Sequence, residues 1–190
     1  MTTEVTLASG FPNIVLTGKM HAGKTTIRNY LTDVIGGYQH VSFAKKLKEI
    51  CDELFVNPGR EEYQQLGQDV RDIDMDAWAR IGATHAELVN AVRGVPFVCD
   101  DCRYPNEVEM LKSLPQRAVF IHVQASRAVR LNRLRETGRF ENEYQLDAVS
   151  EIALDDYPSY WPNHLILNEN LSKLELFDEV NQILDIERRK

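Results

Sequence analysis

Cysteine is scarce in this chain: Cys51, Cys99 and Cys102 are the whole set in 190 residues. A small, odd number argues against a disulfide framework and fits a reducing compartment. Long apolar runs are missing as well. No stretch approaches the about 20 residues needed to span a bilayer, and the first residues have neither the basic cluster nor the apolar run of a signal peptide. A cytoplasmic protein without membrane contact is therefore expected. Basic residues are in deficit, with 22 Lys and Arg against 29 Asp and Glu and a net charge of −7. That balance argues against direct nucleic-acid binding, which usually needs a basic surface. It leaves small phosphorylated ligands open, because a few convergent donors hold those. His21, His40, His85, His122 and His164 show no H-E-x-x-H and no paired Cys/His spacing, so no structural zinc is expected. Cys99-x-x-Cys102 falls at the end of a strand-like run and does not open a helix, which disfavours a thioredoxin-type redox motif. There is no Asn-Lys-x-Asp guanine signature, no internal repeat and no low-complexity linker, and the length suits one domain.

What the chain does contain is a complete G-x-x-x-x-G-K-T loop, Gly18-Lys19-Met20-His21-Ala22-Gly23-Lys24-Thr25. The apolar run Asn13 to Thr17 precedes it and a helix-like segment follows. In that context backbone N–H groups at the helix start can wrap a polyphosphate. Lys24 can then reach the terminal phosphates, and the Thr25 hydroxyl can ligate Mg²⁺. ATP and Mg²⁺ are the expected cofactors. Gly18, Lys19, His21, Ala22, Gly23, Lys24, Thr25 and Thr26 are the expected contacts to the ATP phosphates.

Strand-like and helix-like segments alternate along the chain, the signature of a parallel sheet covered on both faces. Helices are expected from Lys24 to the double glycine Gly36-Gly37, over Ala44 to Leu54, over most of Arg60 to Arg93, from Pro105 to Leu114 and over Arg127 to Glu136. Strands are expected at His40 to Phe43, Val95 to Asp101, Arg117 to Val123 and His164 to Leu167. Ser172-Lys173-Leu174-Glu175 is a capping box that opens a C-terminal helix. Thr137 to Val149 is polar, contains Gly138 and lacks an apolar period, so it reads as an excursion from the core. Asp100 and Asp101 end the third strand and should emerge at the carboxyl edge of the sheet, where ligands of such folds collect. Asp101 is expected to support Mg²⁺, directly or through water; the alternative is that both cap the following turn.

These motifs resemble the phage-type deoxynucleoside monophosphate kinases. The resemblance is carried by the phosphate loop, Ser42-Phe43-Ala44 with Leu47-Lys48, and Leu66-Gly67 followed by Arg71 and Trp78. It continues with Asp101-Cys102-Arg103-Tyr104-Pro105-Asn106-Glu107, the arginine-rich stretch, and Ser150-Glu151 followed by Leu154-Asp155-Asp156-Tyr157. Val149 and Asn163-His164 depart from the family pattern and leave base preference open. The resemblance implies an α/β P-loop kinase fold: a five-stranded parallel sheet flanked by helices, an acceptor-binding helical region over about 44–93 and a lid over about 127–149. It implies transfer of the ATP γ-phosphoryl group to a deoxynucleoside monophosphate, in a host cytoplasm if the protein is phage-encoded, with a homodimer among the expected assemblies. Animal phosphomevalonate kinases have similar folds, so another phosphorylated metabolite is the alternative acceptor, and a nucleotide-dependent regulator is a third reading.

Two anions must meet in such a reaction, and arginine binds phosphate oxygens in pairs. Arg127, Arg130, Arg133, Arg135 and Arg139 share one stretch with Glu136 as its only acid. Arg133 and Arg139, helped by Arg130, are expected to close over the phosphates as a lid; the alternative is a solvated basic helix. Arg133 and Arg139, with Lys24 and Arg103, are the expected catalytic set, and Arg130 is a further expected contact to the ATP phosphates. Ser42, Phe43, Lys45, Arg71, Trp78, Arg103, Glu107 and Glu151 are the expected acceptor-binding residues. For Arg71 a surface pair with Asp69, Asp72 or Asp74 competes, and for Trp78 a place in the core is favoured.

Overall fold

The computed structural model describes residues 10–138, 146, 149–155 and 162–190. Its centre is a five-stranded sheet in the order β2-β3-β1-β4-β5, with every adjacent pair parallel. The strands are β1 (Asn13–Thr17), β2 (Gln39–Val41), β3 (Phe97–Cys99), β4 (Ala118–Gln124) and β5 (His164–Leu167). Leu16 pairs with Ile121, Ile14 with Val98, and Val123 with Ile166. All five residues of β1 are buried, because helices cover both faces of the central strand.

Alternation along the strands divides the apolar side chains between two cores. Ile14, Leu16, Val98, Ile121 and Ile166 pack with Ile27 and Leu31 on one side, beneath α1 (Lys24–Asn29) and α8 (Lys173–Arg188). Val15, Phe97, Cys99 and Phe120 pack with Ala86 and Val108 on the other, beneath α4 (Ala77–Leu88) and α5 (Pro105–Lys112). All three cysteines are free and fully buried. Among the described residues, no helix is long and apolar enough to cross a membrane.

The expected elements are present, with shifts that have local causes. The first helix closes in a π-helical turn, Tyr30–Ile35, and stops at Gly36, whose φ is 75°. The helical stretch after Gly59 is two helices, α3 (Arg60–Ile73) and α4, because the Asp74 carboxylate accepts the Asp76 N–H at 3.0 Å and breaks the run. β2 ends at Val41 and not Phe43: the next amides are drawn off the sheet by Asp101, and α2 (Ala44–Leu54) begins there. β3 is shorter than expected, Phe97–Cys99. α6 (Arg127–Glu136) starts where expected, with the Ser126 hydroxyl accepting the Val129 N–H. A short α7 (Val149–Ile152) precedes β5. Most of the expected excursion, Arg139 included, lies outside the described residues.

Candidate active site

The phosphate loop leaves the carboxyl end of β1 through two glycines that no other residue can replace without rearrangement. Gly18 has φ 116° and Gly23 φ 117°. A Cβ at Gly18 would collide with the Val123 carbonyl, and one at Gly23 with the Asn168 side-chain amide. His21 is also left-handed, at φ 61°. From below, Arg133 donates to the carbonyls of His21 (3.1 Å) and Asn168 (3.0 Å), while Asn168 Nδ2 donates to the Ala22 carbonyl at 2.7 Å. These bonds hold loop carbonyls on the outer side, the arrangement that leaves amides for an anion. Lys24 is 6% exposed and folds back, its Nζ donating to the Gly18 (2.5 Å) and Lys19 (2.9 Å) carbonyls. Burial, reinforced by the Arg103 charge, lowers its pKa to about 8, against the pull of nearby Glu151, Asp100 and Asp101. Burial likewise lowers that of His21, helped by the cations around it and opposed by Glu151.

The two aspartates at the end of β3 point in opposite directions, as neighbours on an extended chain must. Asp100 turns to the α1 side. Its carboxylate accepts from the Thr25 hydroxyl at 3.1 Å and is held by His40 Nε2 at 2.8 Å and Arg28 Nε at 3.5 Å. Burial alone would raise its pKa; His40, Arg28 and Thr25 outweigh that and hold it below the ordinary range. Asp101 turns to the other side and caps α2, accepting from the Ser42 hydroxyl (2.5 Å) and the amides of Phe43 (3.1 Å) and Ala44 (3.0 Å). Asp100, and not the expected Asp101, is the carboxylate beside Thr25, while Asp101 is engaged by the start of α2. A threonine hydroxyl and one carboxylate suit Mg²⁺, which completes its shell with phosphate and water oxygens.

A cavity of 1130 Å³ lies between α2, α3 and the start of α5, lined among others by Phe43, Arg71, Trp78, Arg103, Tyr104 and Glu107. The Arg71 guanidinium lies 4.3 Å from the centre of the Tyr104 ring and donates to the Gly67 carbonyl at 3.0 Å. Its expected competitors are engaged elsewhere: Asp74 with Arg80, Asp69 with Gln65, and Asp72 with Gln68. Trp78 is 3% exposed and donates to the same Gly67 carbonyl at 3.1 Å, so it is core at the cavity floor. Phe43 is equally buried and packs on Gly82, where a Cβ would strike its ring. Glu107 accepts the amides of Arg103 (2.7 Å) and Tyr104 (3.1 Å). Burial pushes its carboxyl up to about 7 in spite of those bonds.

Four expected placements differ in the structure. Lys45 is on the exposed face of α2, 3.9 Å from Glu49, and Lys48 lines the cavity instead. Ser42 is committed to Asp101 and is not part of the lining. Glu151 lies outside this cavity altogether. It lines a second one, of 480 Å³, with Gly18, Lys19, Arg103 and Arg130; there its carboxylate accepts from Arg103 Nη1 and from the Met20 N–H at 2.5 Å. Arg133 does not close over the loop but fastens it from beneath. Arg130, 5% exposed, donates from Nε to the Ala125 carbonyl at 3.2 Å. The sequence reading missed Arg28, His40, Asn168 and the Met20 amide. Asn168 carried a legible signal, a polar residue directly after an apolar strand; the other three did not.

A family profile described as "AAA domain" matches residues 14–154. No curated protein sequence matches the chain. Shikimate kinase from Acinetobacter baumannii, solved with shikimate, superposes with a TM-score of 0.60 at 16% identity, over 95% of this chain and 96% of that one. A gluconokinase from Sinorhizobium meliloti 1021 gives 0.59 at 14% identity, over 92% and 94%. A sugar kinase from Janibacter sp. HTCC2649 gives 0.56 at 19% identity, over 93% and 95%. The fold is the one these P-loop kinases share.

Proposed function

This chain belongs to the AAA domain family, and from that premise we propose that it is an ATP-dependent phosphotransferase whose acceptor is a deoxynucleoside monophosphate. The reaction is ATP plus dNMP giving ADP plus dNDP. An oxygen of the acceptor phosphate forms a bond to the γ-phosphorus while the bond to the β,γ-bridging oxygen breaks, and ADP leaves with that oxygen. The nucleophile is already ionised, so no general base is needed, and positioning and charge do the work. The loop amides and Lys24 hold the donor phosphates. Thr25 and Asp100 would hold Mg²⁺, which when bound offsets charge on the donor phosphates.

One observation carries this reading. Arg103 lines both cavities, the smaller of which also includes Gly18 and Lys19 of the loop, and Arg71 lines the larger; two guanidinium groups at these cavities support an anionic acceptor. A phosphorylated acceptor needs such charge, and bidentate arginine supplies it. The same pair would serve any phosphorylated small metabolite, phosphomevalonate among them, and that is the second reading. A panel of NMPs, dNMPs and other phosphorylated metabolites, each with ATP and Mg²⁺ and with ADP formation measured, separates the two. Turnover greatest with a dNMP is expected. ATP consumption with a non-nucleotide acceptor alone favours the second reading, and none with any phosphorylated acceptor overturns both.

A further inference from the structure

Glu151 is the anomaly of the site. It is an acid 6% exposed, third of the four residues of α7, and it reaches across to the phosphate loop. One carboxylate oxygen accepts the Met20 N–H at 2.5 Å, an amide of the loop itself. The other accepts from Arg103. Its charge also acts on Lys24, raising that ammonium's pKa against burial. Four residues on, Asp155 pairs with the loop's Lys19 at 2.7 Å. One short segment thus delivers two carboxylates to cationic and N–H donors that are assembled for a polyphosphate.

We propose that Glu151 is a resident stand-in for the terminal phosphoryl group: its carboxylate takes the Met20 amide of the loop and ties up Arg103, and a nucleoside triphosphate binds by displacing it. This rests on the kinase reading only in requiring that the loop bind a triphosphate. The physical argument is one of charge and of satisfied donors. A part-buried N–H and a part-buried guanidinium left unpaired would be costly, and a carboxylate meets both with charge-assisted bonds. A terminal phosphoryl group brought to the Met20 amide cannot share it with a carboxylate at contact distance, since the two repel in a poorly solvated space. One of them must leave. Displacement also releases Arg103, the residue that lines both cavities, to face the acceptor. A diphosphate, lacking the terminal group, leaves Glu151 where it is. The residue therefore sets the ratio of triphosphate to diphosphate affinity, which is a specificity role without contact to the acceptor.

The test is calorimetric titration without acceptor, using a non-hydrolysable ATP analogue and ADP, on the wild type, Glu151→Gln and Glu151→Ala. Removing the charge should tighten analogue binding by about fivefold or more, within the usual range of coupling between competing events, and should change ADP binding by less than about twofold. Analogue affinity that is unchanged or weaker in both variants overturns the proposal and leaves Glu151 as a structural fastening or a ligand-side group. Analogue bound by none of the three proteins overturns the kinase reading and this proposal with it. Hydrogen exchange on the wild type keeps the question open to refutation if the variants misfold. Residues 149–155 should lose protection with the analogue and not with ADP, and a gain with both would overturn the displacement.

Discussion

Asp100 and Asp101 are adjacent in sequence, yet the structure gives them different duties. Asp100 faces Thr25, so Asp100→Asn should raise the Mg²⁺ concentration for half-maximal turnover and lower kcat/KM by about 100-fold, the scale of one lost preorganised charge. Asp101 caps α2 with two amides and a hydroxyl, so Asp101→Asn should instead lower unfolding free energy by about 1–2 kcal/mol. A Mg²⁺ titration beside a denaturation curve separates the two effects; a Mg²⁺ defect confined to the Asp101 variant would reverse the assignment. The parity that divides them was available in the sequence. Val98 belongs to the α1-side core and Cys99 to the opposite one, and Asp100 and Asp101 continue that alternation. Arg103 is a residue-scale test of the acceptor side. Arg103→Ala should raise the KM for the phosphorylated acceptor by roughly 10–150-fold, the worth of hydrogen bonds to a charged group. ATP affinity, measured without acceptor, should change far less.

At the scale of elements, α6 and the end of β5 make one fastening for the phosphate loop. Arg133 and Asn168 between them hold the carbonyls of His21 and Ala22. Asn168→Ala should loosen the loop and weaken ATP binding by about 10-fold, and raise hydrogen exchange in residues 18–23, because a buried carbonyl and a guanidinium each lose a partner. Unaltered exchange there would show the loop to be held by its own turns alone. The arginine-rich helix was legible as a helix, with Ser126 as its cap and charge along its length. What lay above Arg133 was not, since helical spacing reports a face and says nothing of which loop crosses it. The phosphate loop, α8 with its capping box and β5 were readable because each carries a local marker. The break between α3 and α4 was not, because Asp74 makes it without glycine or proline. The strand order β2-β3-β1-β4-β5 was equally out of reach, as a parallel sheet can place successive strands side by side or apart.

For the molecule as a whole, Glu187 ties the base of the sheet together, far from the phosphate loop in sequence. Its fully buried carboxylate accepts from His164 Nε2 at 2.6 Å, from Lys190 Nζ at 2.8 Å and from Arg117. Burial would push its pKa up, but the Lys190, His164 and Arg117 bonds outweigh that and hold it at about 2, against 4.5 for a free glutamate. A folded pKa below the unfolded one adds stability above the unfolded value and loses it as pH falls from about 4.5 to about 2. Unfolding free energy should therefore drop by about 2–3 kcal/mol across that window, and Glu187→Gln should flatten that limb of the curve. Glu107 acts with the opposite sign. Its raised pKa of about 7 favours the fold below 4.5, an advantage lost as pH rises through 7, so the pair together narrows the pH range of greatest stability. The sealed thiols of Cys51, Cys99 and Cys102 have a last consequence. A colourless alkylating probe has nothing to react with until the chain breathes, so its uptake at Cys51 times excursions of α2, and at Cys99 and Cys102 those of the sheet edge beneath Asp100 and Asp101. Occupancy of the large cavity would then be visible as slower labelling, with no chromophore attached and no residue changed.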